Sequence, residues 1–203
     1  MPFKISEKYQ NTDWKSLNLL DDNNVNWTDG ISIIEDRFFS RFFSQIEKIK
    51  DDEFSGFVVM SIDCLLIETL MQFYLGIDNT EVNYKSVQWK AFKDFFKNST
   101  HFNADFKTNN ICKTFYQQFR CGLLHQAQTK EKSLIKICQT SFLTLADAKN
   151  VKVGLIIDRT QFHNKLFSEF NEYIQKLIDN KNNFAGENLR IKAILKMDLI
   201  CKE

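Results

Sequence analysis

One proline, at position 2, and six glycines are all that interrupt this 203-residue chain in the usual way. Proline removes a helix donor and glycine carries the largest backbone entropy, so a sequence poor in both meets few barriers to long helices. Cysteine is not arranged for cross-linking. Cys64, Cys112, Cys121, Cys138 and Cys201 are odd in number, and no two form a C-x-x-C pair. Four of the five lie in apolar periodic surroundings, which favours reduced, buried thiols over a disulfide framework or a zinc site. His101 and His163 have no metal-ligand spacing to His125 or to the acids. No metal and no cofactor is expected.

Charge of one sign is also missing. Lys and Arg total 27 against 26 Asp and Glu, a net charge of +1. Such a balance gives no global steering toward nucleic acid, so an RNA site has to be a local basic patch. There is no Gly-rich phosphate loop, no G-x-S-x-G elbow and no H-E-x-x-H pair, which argues against an ATPase, a serine hydrolase and a zinc protease. The N-terminus lacks the apolar core of a signal peptide. No uninterrupted apolar run approaches the roughly 20 residues that span a bilayer. A cytoplasmic location without membrane contact is the expectation by elimination.

What is present is ordinary globular material, with 43% hydrophobic and 26% charged residues. One domain over residues 1–203 is expected from the length. The 20 phenylalanines are less ordinary. At helical spacing they read as filling between packed helices.

Residues 1–29 read as an irregular N-terminal arm, with Thr28 or Asp29 as candidate cap for the next helix. Apolar periodicity predicts helices over 31–50, 54–75, 86–97 and 107–124, the second more apolar than the rest and ended by Gly76. Residues 133–138 and 151–157 are short, β-branched and partly alternating, which predicts a small antiparallel hairpin inserted over 133–157. Asp158 is a candidate cap for a helix over 159–177, and a last helix covers 189–200. The fold class is mostly α, a helical bundle with a minor β element.

Two constellations carry chemistry. Arg120 and His125 lie five residues apart in Phe119-Arg120-Cys121-Gly122-Leu123-Leu124-His125-Gln126. A permanent cation and a side chain of the type that titrates near neutrality are tools for phosphodiester cleavage. On a regular helix five residues amount to about 140° of rotation, so a frayed end at Gly122 is the expected means of bringing the two together. From spacing alone, a surface arginine and a capping histidine are the commoner outcome. The second constellation is Asp63 and Glu68, embedded in the most apolar helix. A carboxylate there needs a partner. Arg120 is one candidate, and Arg37 and Arg41 are the alternatives; the sequence does not choose between the acids. Tyr116, one turn before Arg120, either packs or donates into the same cleft. Cys121 adjoins the cation and reads as a packed thiol rather than a reactive one.

The Arg-x4-His spacing near the end of a late helix resembles the signature of the HEPN superfamily of small helical proteins. The flanking Phe115-Tyr116-Gln117-Gln118-Phe119 and Gln126-Ala127-Gln128-Thr129-Lys130 resemble a group of bacterial HEPN-like proteins linked to phage defence or toxin–antitoxin systems. The likeness covers residues 31–126 loosely and the motif sharply. It implies a HEPN-type bundle and a metal-independent endoribonuclease with Arg120 and His125 catalytic. It also implies RNA as substrate and a homodimer whose two motifs face a shared cleft. An antitoxin or other regulatory protein is a further partner on this reading. The alternative is a non-catalytic helical module that binds a partner protein or nucleotide. Cys121, in a motif position that is frequently polar in active members, points that way, as do the near-neutral charge and the C-terminal section.

Overall fold

The computed structural model describes residues 1–20, 24–146 and 154–202, and the chain is mostly helical with one small sheet. The described residues fall into two compact units. The first comprises Met1–Glu47, Leu70–Asn79 and Phe170–Glu203; the second comprises Lys48–Thr69 and Thr80–Glu169.

In the first unit, helix α1 (Asn11–Lys15) lies within the segment expected to be irregular. Helix α2 (Asn24–Phe38) begins ahead of Thr28 and Asp29, so neither residue caps it. Residues 21–23 of the expected arm lie outside the described residues. A π-turn, Phe39–Phe43, joins α2 to α3 (Ser44–Glu47). The stripe predicted over 31–50 supplies the core here. Phe38 packs edge-on against Phe73 at 5.2 Å and, with rings tilted by 30°, against Phe170 at 4.8 Å. Helix α10 (Leu189–Lys202) returns across this unit, and Asp198 accepts the indole N–H of Trp14 at 2.9 Å. Arg37 and Arg41, offered above as partners for the acids, donate to the carbonyls of Ile5 and Lys4.

Helix α4 (Gly56–Leu75) follows a 3-10 turn at Glu53–Ser55 and ends at Gly76, whose φ is +64°. Among the described residues, Glu53–Leu75 alone is long and apolar enough to cross a membrane, and 56% of its most apolar 18 residues are buried within the protein. It carries both Asp63 and Glu68, acids that a bilayer interior disfavours.

The second unit is built on phenylalanine. It contains α5 (Thr80–Asn83), α6 (Trp89–Asn98), α7 (Asn109–Phe115), a π-turn at Tyr116–Arg120 and α8 (Cys121–Gln126). It also contains the first half of α9 (Arg159–Ile178). Phe96 stacks on Phe106 at 3.7 Å, and Phe115 stacks on Phe119 and Phe162 at 5.2 and 5.3 Å. Offset and edge contacts between rings add to the area they bury. Phe92, Phe95, Phe96, Phe102, Phe106, Phe115, Phe119, Phe142 and Phe162 therefore form one connected cluster in this unit, and α7 is anchored in it.

The sheet has three strands in the order β1-β3-β2: β1 (Leu134–Lys136), β2 (Leu143–Ala146) and β3 (Gly154–Asp158). β2 and β3 form the antiparallel pair, with Leu143 opposite Ile157. The two segments singled out in the sequence are also neighbours, but β1 runs parallel to β3. Residues 151–153 of the second predicted strand lie outside the described residues. The apolar run Leu155-Ile156-Ile157 explains why β3 is central, since a middle strand buries both of its faces. Asp158 caps α9 by accepting the Gln161 N–H at 2.9 Å, as its position before the helix suggests.

The arginine–histidine motif rides on the π-turn. The Cys121 N–H reaches five residues back to the Tyr116 carbonyl. Such a turn leaves a carbonyl without its α-helical donor. Here the Gln118 carbonyl accepts the Lys130 N–H at 3.0 Å, from the strand of chain that returns after α8. The Gln118 side chain accepts from Ser133 Oγ at 2.5 Å, and Ser133 Oγ accepts the Leu155 N–H at 2.9 Å. The π-turn is thus tied to the sheet.

Gly122 is not a frayed end. It is buried inside α8, and the turn comes later, at Ala127, with φ +50°. What requires glycine is close approach: a Cβ there would lie 2.4 Å from the Gln128 carbonyl oxygen and 3.3 Å from Lys130 Cγ. Gly122→Ala is expected to lower stability by about 1–3 kcal/mol through this overpacking. Urea denaturation with an unchanged far-UV spectrum is the measurement. A variant as stable as wild type would show that the 127–130 segment yields without cost.

Candidate functional site

Arg120 closes the π-turn and points to α4. Its Nε donates to Glu68 Oε1 at 2.7 Å and its Nη2 to Oε2 at 3.4 Å, a two-pronged contact. Both side chains are largely withdrawn from water, at 19% and 15% exposure. Burial works against the arginine's charge, but the hydrogen bond and charge of Glu68 outweigh it, and the guanidinium is held more firmly protonated than usual. Below it lies the Tyr116 ring, 5.6 Å from the guanidinium carbon.

The remaining arm of the guanidinium reaches His125. Arg120 Nη1 is 3.3 Å from His125 Nε2, on an exposed imidazole. The helix runs unbroken from Cys121 to Gln126, so the length of the arginine side chain closes the five-residue gap, not unwinding. An arginine donates in every state. The contact is a hydrogen bond only when Nε2 accepts, which places the imidazole proton on Nδ1. The result is an array of carboxylate, guanidinium and, at the solvent edge, imidazole.

Tyr116 does not donate into this array. Its hydroxyl is 3.4 Å from Gln88 Oε1, and its ring sits edge-on to Phe92 at 5.3 Å. Burial first, and then the neighbouring Cys121, push its phenol up to about 12, with Arg120 opposing. It stays protonated at neutral pH and acts as a platform. Cys121 is partly buried. Lys130, which the sequence reading passed over, lays its side chain over Gly122 between the two motif residues.

The two acids part company. Glu68 serves Arg120, whereas Asp63 is fully buried and bonds through Oδ1 to His163 Nδ1 at 2.8 Å. Five residues apart on one helix, they face directions about 140° apart and cannot share a partner. His163 follows Phe162 and stands three residues before Leu166, at the edge of the apolar stripe of α9, and that helical register was the available signal for its burial. Asp63 Oδ2 has no hydrogen-bond partner.

Burial pushes the Asp63 carboxyl up, against the hydrogen bond and charge of His163, which pull it down. A folded-state value above the ordinary 3.8 means that folding favours the protonated form. That contribution is complete below the unfolded value and is lost as pH rises through the folded one. Asp63→Asn keeps an oxygen acceptor for His163 and removes the titration. Relative to this variant, wild type is expected to lose stability in urea as pH is raised from about 4. Parallel pH profiles for the two proteins would refute the assignment.

No protein-family model, curated protein or solved structure matches this chain.

Proposed function

We propose that the protein is a metal-independent endoribonuclease of HEPN type, acting in the cytoplasm in phage defence or a toxin–antitoxin system. The observation that carries this reading is the Glu68–Arg120–His125 array, with an anion-binding arm and an imidazole lone pair side by side at the solvent edge.

A phosphate entering between Arg120 Nη1 and His125 Nε2 replaces their mutual contact. Arg120, kept in place by Glu68, donates to the non-bridging oxygens and stabilises the charge that grows on them. His125 Nε2 takes the proton of the RNA 2′-OH. The 2′-oxygen attacks phosphorus and the bond to the 5′-oxygen breaks, the leaving oxygen taking a proton from water, so that the products are a 2′,3′-cyclic phosphate and a 5′-OH. DNA has no 2′-OH and resists this route. Lys130 adds a local cation that the net charge does not reveal. Exposed Val58 and Leu65 on α4 and Leu124 beside His125 support a homodimer formed at this face. A second copy would double the cations offered to RNA.

The second reading is a non-catalytic module that binds an anionic partner. It is favoured by the engagement of two of the three guanidinium nitrogens with Glu68. RNA cleavage decides between them. His125→Ala is expected to lose about a hundred-fold or more in rate, the usual scale for a positioned acid–base group. Arg120→Lys is expected to lose a comparable factor because an ammonium cannot hold the two-pronged geometry. Both should retain the wild-type circular dichroism spectrum, and wild-type cleavage should survive EDTA. Absence of cleavage by a dimeric wild type, equal rates in His125→Ala, or abolition by EDTA would each overturn the nuclease reading.

A further inference from the structure

At the opposite end of α4's share of the second unit, a groove of about 510 Å³ opens between the start of the helix and strand β1. Glu68 lies twelve residues along the helix from Gly56, about 18 Å away, so this groove is distinct from the arginine–histidine array. Its walls are apolar: Phe54 and Phe57 on one side, Ile135 and Ile137 on the other. Phe54, Phe57 and Ile137 remain substantially exposed. Arg159 completes the lining and is only 2% exposed.

Arg159 is the anomaly. It is among the largest fully buried side chains in the chain, yet no carboxylate is paired with it among the described residues. Its Nη2 donates to the Asp52 carbonyl, and its buried Nε has no partner at all. Neighbouring Asp158 is committed elsewhere, one oxygen to the Gln161 N–H and the other to the Gln139 N–H. A cation withdrawn from water with most of its donors unused is costly unless something else meets it. Two further features concentrate positive potential there. Arg159 is the first residue of the twenty-residue α9, at the positive end of its dipole. Gly56, lining the groove, has no side chain to hold the guanidinium off, since a Cβ would lie 2.9 Å from Nη1. At the rim Lys136 and Glu53 balance, so the net preference of the groove is set by Arg159.

We propose that this groove binds a small monocarboxylate with an apolar body, its carboxylate on Arg159 and its tail between Phe54, Phe57, Ile135 and Ile137. One uncompensated cation beside apolar walls fits a singly charged amphipathic anion better than a polyphosphate. The volume falls in the range of small-molecule sites.

The test is titration of the full-length, ¹⁵N-labelled protein with octanoate, with 1-octanol as the uncharged probe of the same length. Saturable amide shifts are expected at Gly56, Ile135, Ile137 and Thr160. Octanoate should bind about ten-fold or more tightly than octanol, the scale of a charge-assisted hydrogen bond. Arg159→Gln should abolish that difference. Should that variant fail to fold, Ile137→Asp places a repelling carboxylate at an exposed position and is expected to weaken octanoate by a similar factor, with the rest of the spectrum unchanged. Absence of saturable shifts, equal affinity for octanol, or unaltered binding in Ile137→Asp would overturn the proposal. So would shifts confined to other regions, or binding of a peptide with an apolar C-terminal residue where octanoate fails to bind.

Discussion

A guanidinium withdrawn from water needs a charge of opposite sign at hydrogen-bond distance, and at Arg120 that need organises the site. Glu68 meets it with both carboxylate oxygens, fixing the arginine on two of its three nitrogens. The third is left pointing outward to His125. The pairing also settles the role of α4, whose C-terminal half brings an acid to the motif while its apolar face builds the core. Without Glu68 the guanidinium would have rotamer freedom and no reason to present one arm to the imidazole. Three residues on two helices thus act as a unit, and none of them is informative alone.

The rest of the second unit is arranged to hold that contact in register. The phenylalanine cluster fixes α7 through Phe115 and the turn after it through Phe119. The π-turn follows at once, and its spare carbonyl at Gln118 is taken by Lys130. Through Ser133 the same turn is bonded to the central strand of the sheet. The small β element is therefore a brace for the motif helix. Lys130 supplies the backbone N–H of this brace, and its side chain covers Gly122.

Legibility in the sequence followed the range of the forces involved. Scarcity of proline and glycine, together with local periodicity, located α4, α6, α9 and α10 to within a few residues. Asp158 as a cap and Gly76 as a terminator are equally local features. Strand pairing is long-range, so β1 and β3 were recognisable as strands while their parallel arrangement was not. β2, four residues long with a weak alternation, gave too little pattern to be seen. The π-turns were invisible because no composition marks a change from four-residue to five-residue hydrogen bonding. At the site, the residue types were legible and their partners were not. Asp63 and Glu68 look equivalent on an apolar helix, and only the packing of α9 against one and the π-turn against the other separates them.

A turn of Tyr116–Arg120 type holds one residue more than regular helix would hold in the same length. It is regular helix with one residue inserted, so removing Gln117 would restore four-residue hydrogen bonding and leave the chain on either side close to its present direction. The Gln118 carbonyl would then meet a helical donor in place of the Lys130 N–H. The inserted residue is thus what frees a carbonyl for the returning chain, and the helix lends one of its own hydrogen bonds to the fastening of the segment that follows it.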